Sequence, residues 1–125
     1  MSKTEQRNAL NWFEIPVSDI ERANKFYGHV LDTELKTEDF FGTEMSILPY
    51  QDGVGGSLMK SENHHPSQEG SIVYLNAGPD MTPYLAKVEE AGGQIVLPKM
   101  AIGPNGFIAV FLDSEANRVG FHSPT

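Results

Sequence analysis

Glu14 in LNWFEIPV and His122 in RVGFH stand near opposite ends of the 125-residue chain, and both are acid–base residues in strand-like surroundings. Brought together, a carboxylate and an imidazole form a couple that moves a proton, or two ligands of a divalent metal. Glu14 lies two residues from Trp12, so on a strand the two point to one face. Enclosed by Trp12, Tyr74 and Met59, its carboxylate would be partly desolvated, which raises a carboxyl pKa and suits it to general acid or base work. Solvated, or paired with Arg118, it is an ordinary strand residue. His122 shares a face with Gly120, but no third metal ligand is evident, and a half-exposed histidine at a strand end needs no function to explain it. His64 and His65 sit in a polar stretch, and neighbours cannot share one face of a strand. His29 falls in the last turn of a helix, where a cation suits the macrodipole. With no cysteine, thiol nucleophiles and thiolate metal sites are excluded.

The elements that must position these residues are marked in the pattern. LNWFEIPV (10–17) has strand composition. It is followed by Ile20, Ala23, Phe26, Tyr27, Val30 and Leu31 at helical spacing, with Ser18 and Glu21 in a capping-box pattern. Short strands are expected around 34–41, 44–49 and 55–60, set apart by Gly42 and by YQDGVGG. The order then repeats: the strand GSIVYLNAG, the helix PDMTPYLAKVEEAGG, and strands at about 94–98, 107–112 and 118–122. Two βαβββ units, approximately 9–60 and 70–123, predict an α+β fold of paired curved mixed sheets around a cleft. The linker SENHHPSQEG (61–70) is too short to separate independent domains, so residues 1–125 are expected to form one. AIGPNGF (101–107) has turn chemistry and is expected to be a hairpin loop over the cleft entrance.

Seventeen acidic against nine basic residues give a formal charge of −8, which repels phosphate backbones and anionic membranes and argues against nucleic acid as a partner. MSKTEQRNALNWFEI has no apolar run of the signal-peptide kind, and no stretch approaches the ~20 apolar residues that span a bilayer. The expected location is the cytoplasm.

The stretches IPVSDIERANKFY, AKVEEAGGQIVLP and GFIAVFLDSEANRVGFH resemble the vicinal oxygen chelate superfamily of glyoxalases, bleomycin-resistance proteins and extradiol dioxygenases. Phe111, Asp113 and Asn117 match the last and most specific motif, with Ala116 where glycine is usual. In metal-using members the ligands come from one inward position on the first and fourth strand of each half. The resemblance places these on Trp12, Ser57, Ile72 (or Ser71) and Gly120, none of them a competent ligand, so no metal or other cofactor is expected. Two readings follow. One is a metal-free binding protein of the bleomycin-resistance type, taking a planar or apolar small molecule against Trp12, Glu14, Met59, Tyr74, Asn76 and His122, often as a homodimer in this family. The other is a metal-independent isomerase or lyase in which Glu14, with His122, moves a proton on a carbonyl substrate. Trp12 either stacks on the ligand or plugs the former metal cavity.

Overall fold

The computed structural model describes residues 9–125; residues 1–8, part of the stretch read for a leader, lie outside it. Strand β1 (Trp12–Pro16) runs into helix α1 (Ile20–Val30), then strands β2 (Glu38–Phe40), β3 (Thr43–Ile47) and β4 (Gly55–Lys60). The second unit is β5 (Tyr74–Asn76), α2 (Thr82–Glu90), β6 (Gln94–Ala101), β7 (Phe107–Leu112) and β8 (Arg118–Ser123). Each unit closes a four-stranded mixed sheet, in the orders β1-β4-β3-β2 and β5-β8-β7-β6, with the first strand parallel to the last. The two tandem βαβββ units are as expected. Several bounds differ: β2 and β5 are only three residues long, while β6 runs on to Ala101 through two irregularities in its pairing with β7.

α1 starts one residue later than the capping-box pattern implies. Asp19 is the N-cap and accepts from the Arg22 amide at 3.0 Å. The Ser18 amide is already committed to Glu115, 97 residues away, at 2.9 Å. The end of α2 follows the sequence, with Gly92 in the left-handed region at φ +94° directly after the Ala91 cap.

Strand alternation divides the side chains in two. Phe13, Ile15 and Val17 of the first unit and Leu75, Ala77, Val119 and Phe121 of the second belong to one shared apolar core with the helices. Phe111 and Phe121 lie with ring centroids 4.8 Å apart, and Phe26 of α1 reaches Phe111 at 6.1 Å. The opposite sheet faces carry Trp12, Glu14, Tyr74, Asn76 and His122, all exposed. A period of two therefore sends the apolar set inward and leaves the chemistry-bearing set on the open faces.

The buried polar contacts between the units converge on the β7–β8 turn. Asp113 accepts from Tyr27 Oη at 2.7 Å and from Asn117 Nδ2 at 3.1 Å, while Asn117 Nδ2 also donates to the Pro16 carbonyl at 2.7 Å. Glu115, its side chain fully buried, accepts from the Ser18 and Asp19 amides and from Arg22 Nε at 2.7 Å and Nη2 at 2.9 Å. Burial pushes the Glu115 carboxyl upward, but the bonds from Arg22, Asp19, Ser18 and Ser114 outweigh it and hold the pKa at about 2. Burial raises Asp113, and burial together with Asp113 raises Tyr27 well above its usual value, which keeps the phenol a hydrogen-bond donor.

Candidate functional site

The register fixes which residues face one another. On the first sheet Trp12 lies opposite Gly55 and Glu14 opposite Ser57; on the second, Tyr74 lies opposite Gly120 and Asn76 opposite His122. Val17 N donates to Met59 O and Ala77 N to His122 O, both at 3.0 Å. Superposing these equivalent bonds makes Ile72, not Ser71, the counterpart of Trp12, and makes Tyr74 the counterpart of Glu14.

Trp12, Ser57, Ile72 and Gly120, the positions that the resemblance assigns to metal ligands, do not fit a metal here. A Cβ built on Gly120 would run into the ring of Tyr74 and come within 3.0 Å of the Ala109 carbonyl. The tyrosine ring lies across the glycine, so a longer side chain there would have to displace it. Ser57 is fully buried and its hydroxyl lacks a hydrogen-bond partner. Among the described residues no group of three or more histidine, aspartate or glutamate side chains is placed to hold a cation.

The acid–base couple is not assembled. Glu14 is exposed rather than desolvated among Trp12, Tyr74 and Met59, because the two sheet faces stay open in the single chain. His122 Nε2 lies 2.6 Å from the Asn105 carbonyl, which only accepts, so this nitrogen carries the proton and donates. That bond holds the imidazole to the 3-10 turn Gly103–Asn105 between β6 and β7. Arg118 does not pair with Glu14 and turns instead to the Gln68 carbonyl at 3.3 Å. His29 pairs with Glu90 of α2 at 2.8 Å.

The remaining residues are aromatic or amide. Trp12 is 41% exposed and meets Tyr50 edge-on with centroids 6.2 Å apart, while Tyr50 covers Gly55 as Tyr74 covers Gly120. Met59 is nearly buried. Asn76 Oδ1 accepts from the Gly78 amide at 2.8 Å, which leaves its NH2 group to donate elsewhere. Tyr74 and Asn76 line a cavity of about 360 Å³ in the seam between the units, together with Leu10, Phe13, Leu31 and Tyr84. A smaller cavity of about 180 Å³ lies beside Glu14, His65, Asn117 and Arg118. Leu31 follows from helical spacing as a core residue, and Phe13 from strand alternation. Nothing local shows that both end at a gap between units.

Two βαβββ units joined in this way define the glyoxalase-like class of folds. Residues 9–121 match the model of the Glyoxalase/Bleomycin resistance protein/Dioxygenase superfamily, and the chain belongs to that superfamily. It is similar to TnmS3, an antibiotic binding protein from Streptomyces sp. CB03234, with 25% identity and a TM-score of 0.64 over 95% of this chain and 98% of that one. Glyoxalase I from Zea mays shares 23% identity at a TM-score of 0.69, covering 95% of this chain; the present chain spans only 48% of it, about half its length. The fosfomycin resistance protein FosX from Listeria monocytogenes has the same fold at 11% identity and a TM-score of 0.66, covering 96% and 94% of the two chains. No curated protein matches the sequence. No helix among the described residues is long and apolar enough to cross a membrane.

Proposed function

We propose that this protein is a metal-free small-molecule binding protein of the superfamily, taking a planar or apolar ligand against the open faces and the seam between the units. The observation that carries the reading is the Tyr74 ring lying across Gly120, which turns a ligand-donor position into an aromatic floor beside the 360 Å³ cavity. A cavity of this size, with polar and apolar groups side by side in its lining, suits a small organic ligand. The likeness to an antibiotic binding protein over nearly the full length of both chains supports it. Trp12, Glu14, Met59, Tyr74, Asn76 and His122 are the proposed contacts, and the homodimer and a cytoplasmic location belong to the same proposal.

Trp12 is the only tryptophan in the chain, so its emission reports on the site. Titration with naphthalene is expected to change it, and Trp12→Ala to weaken binding by about tenfold, the upper end of an aromatic contact's worth. Elemental analysis after dialysis is expected to find no stoichiometric divalent metal. Unchanged emission across a panel of planar compounds, or close to one zinc, nickel, manganese or iron per chain, defeats the reading.

A further inference from the structure

β1 and β5 each stand at one end of their sheet, and residues of both line the cavity in the seam. In a parallel ladder, successive residues turn their main-chain N–H and C=O alternately toward and away from the partner strand. Gly120 N donates to Val73 O at 2.9 Å and Ala77 N to His122 O at 3.0 Å, so the residues serving β8 are Val73, Leu75 and Ala77. Tyr74 and Asn76 therefore present their N–H and C=O to the open edge. The same rule applied to β1 sends the Pro16 carbonyl into the seam, where Asn117 Nδ2 meets it at 2.7 Å. Among the described residues no group meets the main chain of Tyr74 or Asn76 in this way. Instead their edge forms one wall of the 360 Å³ cavity, whose other walls include Phe13, Leu31 and Tyr84.

We infer that the open edge of β5 recognises a ligand with the donor–acceptor pattern of an N-acyl amino amide. One residue-like unit places its N–H and C=O on the same side, to pair with the C=O and N–H of Tyr74 as an added antiparallel strand does. An apolar group on the flanking amide then falls on the other side of the pleat, against Phe13, Leu31 and Tyr84. The cavity lies near the lower end of the range for small-ligand sites, so it takes one such unit with an aromatic group and not a further strand of protein. The inference rests on reading Tyr74 and Asn76 as ligand-facing, and it adds the ligand's chemical class to that reading.

The test compares N-acetylglycine 2-naphthylmethylamide with the analogue in which an ester oxygen replaces the glycine N–H, by calorimetry and by hydrogen exchange of the Tyr74 amide. The amide is expected to bind about fivefold to tenfold more tightly, the scale of one neutral hydrogen bond, and to slow Tyr74 N–H exchange. Equal affinity of the two compounds, or binding without protection of Tyr74, overturns the edge inference and leaves the binding-protein reading standing, because the naphthyl group alone then carries affinity. The edge inference alone also falls if neither compound binds while naphthalene still shifts Trp12 emission. If naphthalene fails too, both readings fall. A Tyr74 amide already protected in the ligand-free protein, by a second copy or by residues 1–8, also overturns the inference.

Discussion

Glu115 joins a buried carboxylate to four donors from the other unit and to Ser114 beside it. Removing it leaves two main-chain amides and a guanidinium without their acceptor, so Glu115→Ala should cost about 3 kcal/mol in urea unfolding. Arg22→Ala should cost only about 1 kcal/mol, because the arginine is half exposed and the amides keep their acceptor. The folded pKa of Glu115, about 2, lies below its ordinary value. Its contribution is thus fully present above the ordinary value near 4.5 and is lost as the pH falls toward 2. Asp113 works in the opposite sense: a folded pKa raised by burial favours the folded state in acid. Acid lability below pH 4.5 should therefore shrink in Glu115→Gln, measured as a flatter dependence of the urea midpoint on pH. Ala116 sits at φ +67° in the same turn, a left-handed conformation that costs an L-residue roughly 1–2 kcal/mol. Glycine relieves that strain at some cost in chain entropy, so Ala116→Gly should stabilise by about 0.5–1 kcal/mol. The departure at residue 116 was legible in the sequence. The role of Glu115 was not, since its partners lie more than ninety residues away.

At the level of strands, alternation in LNWFEIPV and RVGFH separates the exposed Trp12, Glu14 and His122 from the core-facing Ile15, Val119 and Phe121. The lengths of β2 and β5 were hidden because neighbouring loop residues share strand composition. What pattern could not supply was the conjunction of faces: Glu14 and His122 share a facing but belong to different sheets, and His122 is held by the β6–β7 turn. The tyrosine–glycine pair between β5 and β8 gives a direct test of this packing. Gly120→Ala should destabilise by about 1–2 kcal/mol because the added carbon displaces the Tyr74 ring. In a Tyr74→Ala background the same change should cost roughly half as much, a coupling that a double-mutant cycle resolves. Equal costs in both backgrounds would mean that the Ala109 carbonyl, at 3.0 Å, sets the requirement for glycine.

For the molecule as a whole, Leu10, Trp12, Tyr50 and Tyr74 remain exposed, apolar side chains of the kind that an interface covers. A homodimer that covers some of them is the expected state. The charge of −8 opposes self-association most strongly at low ionic strength, so light scattering should show the dimer fraction rising as salt increases to about 0.15 M. A monomer at all salt concentrations would count against it. The long reach of Glu115 also bears on synthesis. The Ser18 amide at the entrance to α1 finds its acceptor only after 97 further residues have been made, and Tyr27 waits 86 residues for Asp113. At roughly 5–20 residues per second, the first unit emerges from the ribosome and stands for about 5–20 s with its tyrosine hydroxyl unanswered and the free edge of β1 uncovered. A nascent chain stalled before residue 113 should accordingly be cut by protease within α1, and one extended far enough for the β7–β8 turn to clear the exit tunnel should resist.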